Sequence, residues 1–234
     1  MWLPDPAVAA GAQRAKQQHG AFGIAMLQAI DLECVRGERC LFQGLNVELV
    51  PGQCLHIVGD NGAGKTSLLR ILAGLLSPTK GKVLWRGRDI TRTREEYGSE
   101  LAFVGHLNGI KDDLTVLENV RFEAAVRGVE VSVDVAKDAL ARLGLEEFEE
   151  VVVRHLSQGQ KRRVALARLC GAVPARLWIL DEPFNALDSR AVQTVYALLE
   201  AHLATGGIAV LTAHQKVDLP SSAQRLDLLG WALA

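Results

Sequence analysis

Cys54-Leu55-His56-Ile57-Val58-Gly59-Asp60-Asn61-Gly62-Ala63-Gly64-Lys65-Thr66-Ser67 reads as a short apolar strand, a glycine-rich loop and the first turn of a helix. Gly59 to Thr66 fits G-x-x-x-x-G-K-[ST] in the strand–loop–helix setting that phosphate binding requires. Glycines let successive backbone N–H groups turn inward onto phosphate oxygens, and the helix N-terminus adds partial positive charge at the same point. Gly59, Asp60, Asn61, Gly62, Ala63, Gly64, Lys65, Thr66 and Ser67 are therefore the candidate phosphate-binding residues, with Lys65 on the β- and γ-phosphates and the Thr66 hydroxyl on Mg²⁺.

Outward from this loop, short strands alternate with helices. Strands are predicted over Leu27–Cys34, Leu45–Val50, Cys54–Val58, Lys82–Trp85, Leu101–Val104, Leu177–Leu180, Ile208–Thr212 and Leu226–Leu229, and helices over Lys65–Ala73, Val116–Val126, Val133–Leu143, Gln160–Cys170 and Ala191–Leu203. Cys54–Val58, Leu177–Leu180 and Ile208–Thr212 are apolar without alternation, as in strands buried on both faces of a parallel sheet. The early strands, separated by turns such as Pro51-Gly52, read as antiparallel, and two consecutive helices between Thr115 and Leu143 read as an insertion. The fold class is α/β: a mostly parallel core sheet, an N-terminal antiparallel β subdomain and an inserted helical subdomain over about residues 106–173.

Leu177-Trp178-Ile179-Leu180 ends in Asp181-Glu182. In a parallel sheet this places the two acids at the edge that carries the phosphate loop. Asp181 is positioned to hold Mg²⁺ through water and Glu182 to polarise the attacking water. Ile208–Thr212 ends just before His214, a candidate for γ-phosphate contact.

Composition narrows the function. The 234 residues are 49% hydrophobic and 23% charged, with 26 Lys and Arg against 27 Asp and Glu, a formal net charge of -1. That balance excludes binding to nucleic acid by overall positive charge, and 5% aromatics is sparse for base stacking. No apolar run is long enough to span a bilayer. Cys34, Cys40, Cys54 and Cys170 form no C-x-x-C pair and read as reduced, mostly buried thiols. Residues 1–25 carry Pro4, Pro6 and many alanines without helical or strand period, and read as a disordered leader or as sequence upstream of the true start at Met26; residues 26–234 read as one domain.

Leu156-Ser157-Gln158-Gly159-Gln160, just upstream of the acidic strand, resembles the signature sequence of ATP-binding cassette (ABC) ATPases. Asn185-Ala186-Leu187-Asp188 looks like that family's D-loop, and His214 is similar to its switch histidine. The motifs occur in the family's order from Met26 to Ala234. The resemblance implies a nucleotide-sandwich homodimer, in which ATP on the phosphate loop of one subunit is completed by Ser157, Gln158, Gly159 and Gln160 of the other. Without the resemblance, Leu156–Val164 reads as a basic helix capped by Ser157, and both readings can hold together. Lys161-Arg162-Arg163 reads as a solvated helix face, and Glu146 to Glu150 as a solvated acidic loop.

Three positions depart from the family pattern. Gln158 stands where glycine is usual, Gly105-His106 stands where the Q-loop glutamine is expected, and Cys34-Val35-Arg36-Gly37 lacks the adenine-stacking aromatic, leaving Arg36 as the candidate for that role. Gly105-His106-Leu107-Asn108-Gly109-Ile110-Lys111, then Leu117-Glu118-Asn119 and Trp178 to Phe184, is similar to the ATP-binding subunits of heme exporter, or cytochrome c maturation, systems. That resemblance implies a peripheral ATPase on the cytoplasmic face of a bacterial inner membrane, bound to hydrophobic permease subunits that dock near His106 and the helical insertion. The alternatives are the ATPase of another ABC transporter, or a soluble ABC ATPase such as an iron–sulfur assembly factor. The interval between Lys65 and Ser157 leaves no room for the long coiled coil of chromosome-associated relatives.

Overall fold

A computed structural model of the chain describes residues 25–170, 175–213 and 223–231. The leader expectation for residues 1–25 therefore lies, except for Ala25, outside the described residues.

Four strands build an antiparallel sheet: β1 (Leu27–Arg36), β2 (Arg39–Leu49), β4 (Lys80–Trp85) and β5 (Arg88–Asp89), in the order β2-β1-β4-β5. The other five strands among the described residues are all parallel: β3 (Cys54–Val58), β6 (Leu101–Val104), β7 (Leu177–Leu180), β8 (Ile208–Thr212) and β9 (Ala223–Asp227), ordered β6-β7-β8-β3-β9. Every residue of β7 and β8 is buried, which is why their sequences run apolar without alternation.

The parallel sheet separates two cores, because successive side chains point to opposite faces. Leu55, Ile57, Ile179, Ile208 and Val210 pack toward Leu27, Leu32, Phe42 and Leu49 of the antiparallel sheet and toward Leu68, Leu69 and Leu72 of helix α1 (Lys65–Leu72). Trp178, Leu180, Ala209 and Leu211 face the other way. They meet Val195, Leu199 and Leu203 of α6 (Ser189–Ala204) and the buried residues of the helical insertion.

The insertion follows β6 and holds α3 (Val116–Val126), α4 (Val133–Arg142) and α5 (Gln158–Leu166), which tightens to a 3₁₀ turn over Ala167–Cys170. Thr115 and Ser157 start their helices with reciprocal capping boxes. Buried Asn119 accepts from the Lys111 N–H at 2.7 Å and donates to the Lys111 carbonyl at 2.9 Å, fixing the loop that leads into α3.

Several elements differ from the sequence expectations, including the two-residue strand β5, too short to show any period. Helix α2 (Arg94–Glu100) was not expected, since Tyr97 is its only buried side chain and supplies no apolar period. Strand β2 begins at Arg39 rather than Leu45. The last strand spans Ala223–Asp227, and Leu228–Trp231 turns as a 3₁₀ segment, so the apolar run after Asp227 packs as a turn rather than a strand.

Candidate nucleotide site

The strand order places the candidate residues. In register, Leu180 of β7 lies beside Leu211 of β8, and Leu211 beside His56 of β3. Asp181, Thr212 and the start of the glycine loop therefore emerge together at the C-terminal edge of the sheet, with β8 between the other two strands.

Gly64 ends the loop with φ +100°, a left-handed conformation that favours glycine. A Cβ there would also lie 3.1 Å from Leu41 Cβ, so the β1–β2 hairpin packs directly against the loop. Asp60, Asn61 and Gly62 are exposed, whereas Lys65, Thr66 and Ser67 at the head of α1 are half-buried. Lys65 Nζ donates to the carbonyls of Gly59 at 2.7 Å and Asp60 at 3.0 Å.

A chain of hydrogen bonds joins this loop to the acidic strand end. Thr66 Oγ1 donates to Asp181 Oδ2 at 2.9 Å, and Thr212 Oγ1 donates to Asp181 Oδ1 at 2.8 Å. The Glu182 N–H donates to Thr212 Oγ1 at 2.9 Å. Asp181 and Glu182 are 2% and 7% exposed, so this network works in a low dielectric where each bond counts for more. Burial also holds the neighbouring His56 below the ordinary histidine range, against smaller upward pulls from a backbone hydrogen bond at Ala213 and, last, the Glu182 charge. The Thr66 hydroxyl and Asp181 carboxylate are hard oxygen donors side by side, a pair suited to Mg²⁺, which takes its remaining ligands from phosphates and water.

The other candidates sit on separate loops. Ser157 Oγ accepts from the Gln160 N–H at 3.2 Å, and Gln160 Oε1 accepts from the Ser157 N–H at 2.8 Å, so Ser157 caps α5. Gln158 is exposed, and Gly159 is placed so that an added Cβ would fall 2.6 Å from the Ala186 carbonyl oxygen. A backbone contact within the chain thus demands glycine there. Asp188 caps α6 through the Ala191 N–H at 2.8 Å. His106 is exposed on the loop after β6, beside Leu107 at 81% exposure. Arg36 donates back to its own strand, to the Val35 carbonyl at 3.0 Å. His214 lies outside the described residues.

Two of the contributors were not singled out from the sequence. Thr212 was read only as a strand end, although a buried threonine closing an apolar strand between two motifs is a recognisable signal. Arg162, read as part of a solvated face, is 4% exposed. It falls three and four residues before buried Ala165 and Leu166, on the inward stripe of α5. In the acidic segment Glu146, Glu147 and Glu150 are exposed, as expected, whereas Phe148 packs against the core of the insertion and Glu149 pairs with Lys137 at 2.7 Å. The four cysteines are free; Cys34 and Cys54 are buried and the other two half-buried.

The sequence profile of the ABC transporter family matches residues 42–185, more than half of the chain. The chain is 52% identical over 204 residues to the cytochrome c biogenesis ATP-binding export protein CcmA of Methylococcus capsulatus, covering 87% of this chain and 98% of that one. Identity is 50% over 205 residues to the protein of the same name from Dechloromonas aromatica, covering 88% and 100%. Among solved structures, an ATP-binding cassette caught as a dimer in a post-hydrolysis state with ADP and Pi superposes with a TM-score of 0.73 at 25% identity, covering 81% of this chain and 88% of that chain. With the glycine loop, the acidic strand end and the capped signature helix assembled on this fold, the chain belongs to the ABC transporter ATP-binding family, and within it to the CcmA type.

Proposed function

We propose that this chain is the ATP-hydrolysing subunit of a membrane complex that moves heme, or releases it from a membrane-bound complex, for c-type cytochrome biogenesis. The observation that carries this reading is the near full-length identity of about half to proteins named for that export task. The hydrogen-bonded chain from Thr66 through Asp181 and Thr212 to Glu182 supports hydrolysis as its chemistry.

In this reading two copies close around ATP. Residues 59–67 of one copy hold the phosphates, and Ser157, Gln158, Gly159 and Gln160 of the other complete the site. The capping geometry leaves the Ser157 hydroxyl hydrogen available for a phosphate oxygen, at a helix N-terminus that already attracts anions. Thr66 and Asp181 hold Mg²⁺, which when bound neutralises charge developing on the phosphates. Glu182 orients and polarises the attacking water, His214 contacts the γ-phosphate, and Asp188 lines the dimer seam. Arg36 is assigned to the base. ATP binding closes the dimer and hydrolysis reopens it.

The membrane partners are hydrophobic permease subunits, with this chain peripheral on the cytoplasmic face of a bacterial inner membrane. Among the described residues no helix is long and apolar enough to cross a membrane. Exposed Leu107 beside His106, exposed Phe122 and Val126 on α3, and a concave surface whose valines and alanines are flanked by Glu123, Arg127 and Arg168 support docking at the helical insertion. Deletion with complementation tests the proposal. The wild-type gene should restore covalent heme attachment to c-type cytochromes and Lys65→Ala should not. Normal cytochrome c maturation in the deletion strain would refute the assignment.

A further inference from the structure

Arg162 lies in the signature helix but touches neither the glycine loop nor a carboxylate side chain directly. Its Nη1 donates to the Gly105 carbonyl at 2.8 Å and to Asn108 Oδ1 at 3.0 Å. Its Nη2 donates to the carbonyls of Asp181 at 2.7 Å and Glu182 at 2.8 Å. One guanidinium therefore ties three segments together: α5, the loop after β6 that carries His106, and the turn that carries Glu182.

This is an expensive way to fill space. Burying a guanidinium is strongly unfavourable, and burial draws Arg162 down to about 10, still charged near neutral pH. A well-packed apolar side chain would fill the volume without that penalty, so what the guanidinium adds is fixed geometry. The turn it holds needs fixing. Glu182 has φ +52°, a conformation that non-glycine residues keep only when their surroundings over-determine it. Arg162 grips the carbonyls on both sides of the Glu182 N–H, and Thr212 grips that N–H.

We infer that Arg162 is a positioning residue that couples the two nucleotide sites of the dimer, setting the Glu182 carboxylate of its own subunit according to the seating of its own signature helix on the partner's nucleotide. The inference rests on the sandwich-dimer reading above. Ser157 addresses one nucleotide and Glu182 the other, and Arg162 stands about 7.5 Å along α5 from the Ser157 cap. A shift of the helix is delivered to the hydrolytic turn through two hydrogen bonds from one planar guanidinium, while two more brace the loop after β6.

The test uses the full complex purified with its membrane subunits. Arg162→Gln should lower kcat at least about tenfold, since displacing a catalytic group by about 1 Å costs on the order of a hundredfold. Its KM for ATP should stay within about twofold, and the Hill coefficient for ATP should fall from the wild-type value toward 1. Arg162→Lys, which keeps the charge but not the planar fork, should fall between the two and serves if the glutamine variant does not fold. Arg163→Gln is the control, because Arg163 bonds the carbonyls of Leu143 and Gly144 instead, and its kcat should stay within twofold of wild type. Arg162→Gln added to Glu182→Gln should slow turnover no further. The inference is overturned by a wild-type Hill coefficient of 1, by an unchanged coefficient in Arg162→Gln, by KM rising in step with the loss of kcat, or by additive slowing in the double variant. Rapid turnover by Glu182→Gln alone would instead remove the base role of Glu182, leaving the Hill coefficients to judge the coupling.

Discussion

Thr212→Val isolates the link between Asp181 and Glu182, the carboxylates proposed to hold Mg²⁺ and to activate water. The substitution nearly preserves shape and removes only the hydroxyl, at a residue that is 0% exposed. Two partners lose a bond: Asp181 Oδ1, which accepts at 2.8 Å, and the Glu182 N–H, which donates at 2.9 Å. A hydrogen bond to a charged group contributes about 1.5–3 kcal/mol, and an orphaned buried N–H costs about 1–3 kcal/mol. Partial relaxation around the smaller polar set leaves roughly 3 kcal/mol, or on the order of a hundredfold in the unfolding equilibrium. Urea unfolding of the nucleotide-free chain measures this directly, and steady-state ATPase of the assembled complex reads the accompanying loss of Glu182 alignment. Thr212→Ser keeps the hydroxyl and should recover most of both. Stability and turnover within error of wild type in Thr212→Val, or equal losses in the serine variant, would refute the reasoning.

Gly159→Ala places a Cβ 2.6 Å from the Ala186 carbonyl, so it should cost about 1–3 kcal/mol in the isolated chain without nucleotide, read as a lower Tm. An unchanged melt would leave phosphate approach as the only reason for that glycine. Gly207→Ala drives a Cβ to 2.2 Å from His202 Cε1, and that ring is pinned by stacking on Trp178 at 4.0 Å and by a 3.0 Å bond to the Ile208 carbonyl. It should destabilise by about 1–3 kcal/mol in thermal unfolding. Burial holds His202 below its ordinary 6.5, so the unfolded chain takes up a proton first as pH falls. The stability tied to the neutral ring is complete above about pH 6.5 and is lost on acidification below it. Between pH 7 and pH 5 the Tm of His202→Phe, which can keep the stack, should fall less than that of wild type.

Much of this architecture is legible in the chain because its decisive strands are extreme. Leu177-Trp178-Ile179-Leu180 and Ile208 to Leu211 are buried on both faces and run wholly apolar, and the glycine loop between Val58 and Lys65 needs backbone that few residues can adopt. Helix α2 escaped because Arg94-Glu95-Glu96-Tyr97-Gly98-Ser99-Glu100 buries a single side chain, which packs edge-on to Trp85 at 5.8 Å. The start of β2 is hidden because Cys40-Leu41-Phe42 runs apolar without alternation and Gly44 interrupts the strand pattern before Leu45. At the site, motif residues were legible one by one, but the connections between them were not. Arg162 looks like any cation in a run of three, and only the inward stripe with Ala165 and Leu166 marks it as buried. Arg39 likewise carries no local signal, although its Nη1 lies 3.8 Å from where a Cβ on Gly62 would stand, which sets the hairpin beside the glycine loop.

The central claim is that Glu182 drives hydrolysis in an ATP-closed dimer, and Glu182→Gln in the purified complex tests it most directly. Nucleotide binding and multi-angle light scattering with Mg²⁺ and ATP should show full ATP occupancy and a long-lived dimer of ATP-binding subunits. Turnover should fall by at least about a hundredfold, as when a group acting only in the transition state is removed. Wild-type turnover, or ATP bound with no gain in dimer lifetime, would contradict the account.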